Sequence, residues 1–185
     1  MNRNAALSQH IYLTGYRGTG KTSVGEILAR RIGRPLVDLD DAVELAAGKT
    51  IRELFETDGE TAFRDFETEC LRVVAQRADN GGVGEVISLG GGAILRQENR
   101  EMIRQSGICI WLDADAQTLA ERIGGDEASG QRRPALTQYD ELEEIRQLLC
   151  QREPLYREAA DHRIDTAGKS VEAIADEVEK LLEIG

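Results

Sequence analysis

The run Gly15-Tyr16-Arg17-Gly18-Thr19-Gly20-Lys21-Thr22 constrains this chain more than any other feature. It fits GxxxxGK[ST], a loop that wraps backbone N–H groups around phosphate. The residue types follow from that task. Glycines let the backbone curl around an anion with no Cβ in the way, and a helix beginning near Lys21 turns its positive dipole end toward the anion. Lys21 can reach the terminal phosphates, and the Thr22 hydroxyl can ligate Mg²⁺. Gly18, Thr19, Gly20, Lys21, Thr22 and Ser23 are therefore the candidate nucleotide-binding residues. The context agrees. A short apolar stretch at 9–14 precedes the loop, Val24, Ile27, Leu28 and Ile32 recur at helical spacing behind it, and Gly33 and Pro35 close that helix.

The remainder alternates in the same way. Strands are predicted at 36–40, 85–89, 108–112 and 162–164. Between them, Thr50 and Glu53 suggest a capping box for a short helix holding Leu54 and Phe55. Asp58-Gly59 marks a turn, after which Phe63, Phe66, Cys70 and Val73 or Val74 form a helical stripe to about residue 78. Further helices are predicted at 97–106, around Leu119 and Ile123, at 140–153 and at 170–183. Residues 124–139 carry several breakers and little periodicity, which predicts a mobile loop. Strands joined by crossover helices predict an α/β fold of three layers, α/β/α, around a central five-stranded parallel sheet. Ligands in such sheets bind beyond the carboxyl ends of the strands, where the Gly-rich turns fall.

Composition narrows the function. With 185 residues, 41% hydrophobic, the chain suits a single domain, 1–185, in which 1–9 is an N-terminal extension. No apolar run approaches the ~18 residues of a membrane span. Residues 1–6 lack the apolar core of a signal peptide, so a cytoplasmic location is expected. Cys70, Cys109 and Cys150 form no CxxC or Cys/His cluster, and all three are expected to be small buried hydrophobes. The net charge of −11 repels nucleic acid and anionic membrane, so neither is an expected partner. Any anion must meet positive charge focused in one cleft. Of the 23 bases only Lys21, Lys49, Lys169 and Lys180 are lysines, so the arginines matter most.

A phosphate loop does not by itself separate a kinase from a switch or a motor. Asp38 and Asp40, two apart at the end of a predicted strand, would share one face or rim. Such a pair can hold Mg²⁺ through water and accept a proton from an attacking hydroxyl. It can equally be a helix N-cap pair, since Asp40-Asp41 precedes a helical segment. Spacing leaves both readings open.

The ordered motifs LVDLD, DGETAFRDFE, SLGGGA, RIGG, RRPAL and REPLYRE resemble those of shikimate kinases, over about residues 11–166. The resemblance implies a P-loop fold of the nucleoside-monophosphate-kinase type with a lid at 124–139. It implies ATP and Mg²⁺ as cofactors, shikimate as substrate, phosphorylation of its 3-hydroxyl, and a monomer. By the same resemblance Asp38 helps hold Mg²⁺ with Thr22, and Asp40 binds shikimate hydroxyls and is the proposed base. Arg64 pairs with the shikimate carboxylate, Glu67 orients that site, and Arg152 is the second carboxylate-binding arginine. Gly91, with Gly92, places backbone against the substrate. Arg133 reaches the ATP phosphates from the lid, and Arg122 stacks on adenine. The chemistry is coherent, because guanidinium forks bind a carboxylate bidentately where lysine is only a point charge.

Blander readings stand beside these. Arg64 could be a helix-surface residue paired with Glu60 or Glu67, Gly90–Gly92 a plain turn, Arg152 a surface charge, and Arg122 a helix end. Phe55 and Phe63 could wall a pocket or belong to the core, while His10 and His162 look structural. The acidic C-terminal helix suits a solvated face. A gluconate-kinase-like or other small-metabolite kinase, and a regulatory nucleotide binder, are the competing functions.

Overall fold

Strand β1 (His10–Thr14) is buried along its whole length, as a central parallel strand with helices on both faces must be. Its side chains alternate. Ile11 and Leu13 enter one core layer with Val24 and Leu28 from one side of the sheet, while Tyr12 enters another with Leu71, Val74 and Ile103. The computed structural model describes residues 9–79, 83–124 and 138–182.

After β1 the described elements are α1 (Lys21–Ile32), β2 (Leu36–Asp38), α2 (Leu39–Ala47), α3 (Ile51–Thr57) and α4 (Gly59–Asp79). There follow β3 (Val86–Ser88), a 3₁₀ turn (Ala93–Leu95), α5 (Gln97–Ser106), β4 (Gly107–Asp113) and α6 (Ala116–Gly124). The chain ends with α7 (Gln138–Ala159), β5 (His162–Asp165) and α8 (Val171–Leu181). The five strands run parallel in the order β2-β3-β1-β4-β5. Helices α1 and α8 cover one face, and α4 and α5 the other. The three-layer expectation therefore holds.

Register positions the site. Leu13 pairs with Ser88, and Ser88 pairs with Asp38, so the ends of β1, β3 and β2 lie side by side. The phosphate loop leaves β1 and the triple glycine follows β3, so the two turns emerge next to each other.

Several boundaries differ from the sequence reading. Strand β2 stops at Asp38, and Leu39 already begins α2. Helix α7 runs to Ala159 instead of ending at 153, with Pro154 inside it. Proline removes one helical donor, and burial of Tyr156 and Ala159 against Ile94 and Trp111 offsets that loss. The cysteine expectation is corrected as well: only Cys109 is buried, Cys70 is half-buried and Cys150 is exposed. The capping box does form, with Glu53 accepting from the Thr50 amide at 2.8 Å. His10 is structural, its Nδ1 accepting from the Glu85 amide at 3.0 Å. The solvated face of α8 also does structural work, because Asp176 pairs with Arg31 of α1 at 2.7 Å. No described helix is long and apolar enough to cross a membrane. Of the expected extension (1–9) and the expected lid (124–139), residues 1–8 and 125–137 lie outside the described residues, while 124 ends α6 and 138–139 begin α7.

Candidate active site

The loop after β1 turns on glycines in the left-handed region: Gly18 has φ 82° and Gly20, the residue before α1, has φ 87°. Side chains are strained there, which is why the motif demands glycine. Lys21 folds back across the loop, donating to the carbonyls of Gly15 at 3.0 Å and Tyr16 at 2.9 Å. Thr19 Oγ1 donates to the same Tyr16 carbonyl at 2.8 Å. Loss of hydration lowers the Lys21 pKa to about 8, against the pull of Asp40 and Asp38. Thr22 and Ser23 are exposed at the first turn of α1.

Asp38 is the N-cap of α2 and also meets the first turn of α1. Its Oδ1 accepts from the amides of Asp40 at 3.0 Å and Asp41 at 3.5 Å, capping α2. Its Oδ2 accepts from Thr22 Oγ1 at 2.8 Å. The shared strand face is corrected, since Asp40 sits in the first turn of α2 and not on β2. Ser88, at the end of β3, brings its Oγ to 3.0 Å from Thr22 Oγ1. Thr22, Asp38 and Ser88 thus form an all-oxygen donor set, the chemistry that suits a hard cation such as Mg²⁺. Among the described residues no cluster of three His, Cys, Asp or Glu side chains could hold a metal by itself. The set therefore fits an ion that keeps waters and shares the phosphates of a nucleotide.

A cleft opens beside the loop, and Asp40, Arg64, Glu67, Gly91, Gly92 and Arg152 line it together. Arg64 is buried on α4 and donates to Glu67 Oε2 at 2.7 Å, with a longer contact of 3.4 Å to Glu60. Its guanidinium also stacks on the Phe63 ring, 4.8 Å from the centroid. Burial raises the Glu67 pKa while Arg64 opposes the shift. The Arg64 Nε and Glu67 Oε1 atoms are buried with no hydrogen-bond partner, so polar capacity remains unspent at the cleft wall.

The triple glycine is needed for closeness. A Cβ at Gly90 would lie 2.6 Å from Asp40 Oδ1, and one at Gly92 would lie 2.5 Å from Arg64 Nη2. Any larger residue would displace the very groups that line the cleft. From α7, Arg152 Nη1 donates to the Gly91 carbonyl at 3.3 Å, and its guanidinium faces the Tyr16 ring at 5.8 Å.

Arg122 reaches both the phosphate loop and Thr166. It donates to Thr166 Oγ1 at 3.0 Å and to the Thr166 carbonyl at 2.7 Å, with a contact of 3.4 Å to the Gly18 carbonyl. Phe63 is both core and cleft wall, whereas Phe55 packs behind it at 4.8 Å between ring centroids. Arg133 lies outside the described residues. Sequence reasoning missed Tyr16, Arg17 and Ile51 as cleft residues, Ser88 beside Thr22, and Tyr156, whose hydroxyl donates to the Gly91 carbonyl at 2.6 Å. The available signal was that Ser88 stands two residues before the triple glycine, at a strand's carboxyl end.

The family model for shikimate kinase matches residues 17–183. The chain is 45% identical over 180 residues to shikimate kinase of Rhodopirellula baltica, covering 97% of this chain and 94% of that one. It is 46% identical over 177 residues to the Symbiobacterium thermophilum enzyme, covering 95% and 98%. Among solved structures, shikimate kinase from Acinetobacter baumannii in complex with shikimate superposes with a TM-score of 0.84 at 35% identity, covering 95% of this chain and 93% of that one. A gluconokinase from Sinorhizobium meliloti is similar at a TM-score of 0.56 and 18% identity, a likeness of fold alone. The matching motifs, the shared fold and the identity over nearly the full length converge, and the chain belongs to the shikimate kinase family.

Proposed function

We propose that this chain transfers the γ-phosphoryl group of ATP to the 3-hydroxyl of shikimate, giving shikimate 3-phosphate and ADP. One observation carries the reading: Arg64 of α4 and Arg152 of α7 flank the same Gly91–Gly92 turn in a cleft that also holds Asp40. Two guanidinium forks at one end suit a carboxylate, and a carboxylate at the other suits hydroxyls. In a chain of net charge −11 this cleft and Lys21 focus the positive charge needed by two anionic substrates.

The phosphates of ATP occupy the loop after β1, meeting backbone N–H groups and Lys21. Thr22 and Asp38 would hold Mg²⁺, with Ser88 as a further oxygen nearby. When bound, that ion neutralises phosphate charge. Arg64 and Arg152 fix the acid so that its 3-hydroxyl faces the γ-phosphorus. Asp40 accepts the hydroxyl's hydrogen bond and, as oxygen bonds to phosphorus, its proton. The bond from phosphorus to the β,γ-bridging oxygen breaks, and ADP leaves. Lys21 stabilises the transferring group, since phosphoryl transfer depends mainly on positioning and electrostatics. One chain supplies every group named, so a single copy suffices.

The test is a panel of hydroxy acids with ADP release as readout, paired with heat-denaturation midpoints in ADP, shikimate and both. Turnover with shikimate, none with its 3-deoxy analogue or gluconate, and a raised midpoint with shikimate are expected. Turnover of gluconate in preference to shikimate would sink the reading.

A further inference from the structure

Tyr156 lies one helical turn beyond Arg152 on α7, so the two side chains share a face. Both reach the same atom. The Tyr156 hydroxyl donates to the Gly91 carbonyl at 2.6 Å, and Arg152 Nη1 donates to it at 3.3 Å. A carbonyl oxygen has two lone pairs and can take both, but the phenol makes the short bond and the guanidinium the long one.

The phenol is held still. Tyr156 is fully buried, and its ring stacks on Trp111 with centroids 5.6 Å apart and planes 18° from parallel. Burial pushes its pKa up to about 12, with Arg152 opposing, so it remains a donor at physiological pH. The acceptor is held too. A Cβ on Gly91 would lie 3.3 Å from the Gly15 carbonyl oxygen and 3.5 Å from the Arg17 amide, so its peptide backs onto the phosphate loop. On that side the Gly91 peptide is closely packed only by backbone of that loop.

We propose that Tyr156 is a positioning residue for Arg152: by satisfying the Gly91 carbonyl it releases the arginine's fork to the carboxylate of the acid substrate. This rests on the reading of the cleft as the acid site. Without the hydroxyl, Arg152 is the donor left to the Gly91 oxygen, and serving that oxygen competes with a bidentate grip on the acid. A buried acceptor left unpaired is costly, so the competition is real.

The test is a double-mutant cycle of Tyr156→Phe and Arg152→Ala. Phenylalanine keeps the ring on Trp111 and removes only the hydroxyl. Y156F is expected to raise the shikimate KM about tenfold, equivalent to about 1.4 kcal/mol, with kcat and the ATP KM within about twofold of wild type. In the R152A background the same change should add less than about twofold. Additive effects of the two changes would overturn the proposal, as would a shikimate KM unchanged in Y156F. Proportionate loss of kcat and of both substrates' affinities, or a Y156F chain without a cooperative thermal transition, assigns the hydroxyl to folding and overturns it also. A wild-type chain that neither binds nor phosphorylates shikimate removes the underlying reading and this proposal together, and is distinguished by the wild-type arm alone.

Discussion

Arg64 and Glu67 form an ion pair of 2.7 Å one turn apart on α4, with Glu67 almost sealed from solvent at 1% side-chain exposure and Arg64 at 10%. Arg152, by contrast, is half-buried and is held by the Gly91 carbonyl and the Tyr16 ring. The two arginines of one cleft therefore stand in different energetic positions.

Arg64→Ala should damage both binding and stability. It leaves a buried carboxylate unpaired, which costs about 3 kcal/mol of unfolding free energy, and it should raise the shikimate KM about 100-fold. Arg152→Ala should raise that KM with less than about 1 kcal/mol lost. Urea denaturation alongside steady-state kinetics distinguishes them. Equal stability losses in the two variants would contradict the contrast.

Asp40→Asn tests the base. The amide keeps the size and a hydrogen-bonding oxygen but cannot take a proton, so kcat should fall about 10²–10⁴-fold while the thermal midpoint stays near wild type. A kcat close to wild type would leave Asp40 as a hydroxyl-orienting group only.

Lys21 gives a pH dependence with a defined sign. Its pKa in the free protein is lowered from the ordinary 10.5 to about 8. Between those values the unfolded chain binds the proton and the folded chain does not, so this group makes stability rise with pH from about 8 to about 10.5. Binding of ATP needs the charged form. The value of kcat/KM for ATP should therefore fall as pH rises past about 8, since that ratio reports the free enzyme. Lys21→Met should abolish the stability rise in that window, measured by denaturation at a series of pH values.

Chelation of divalent cations should stop ADP release, and added Mg²⁺ should restore it. Thr22→Ala and Ser88→Ala remove oxygens from the set beside Asp38. Thr22→Ala should raise the Mg²⁺ concentration for half-maximal rate about tenfold, and Ser88→Ala by less. No shift in either variant would place the cation elsewhere.

What could be read without coordinates was local chemistry and periodicity. The phosphate loop is a single turn whose residue types state their own task, and the alternation of apolar strands with helical stripes predicted the layered parallel sheet. Arg64 with Glu67, and Thr50 with Glu53, are pairs three apart that helical geometry alone brings together. The boundary at Asp38 was ambiguous because one aspartate both ends a strand and caps a helix, and the length of α7 was missed because burial of Tyr156 and Ala159 outweighs an internal proline. Sequence by itself thus determined the fold class, the nucleotide loop and the kinship carried by its ordered motifs. Only the tertiary structure decided that Ser88 stands beside Thr22, that Arg122 is tied to Thr166, and that Arg152 and Tyr156 converge on a glycine carbonyl more than sixty residues away. Those contacts depend on strand order, register and the way α7 packs across the sheet ends, and no spacing along the chain encodes a distance set by the packing of separate elements.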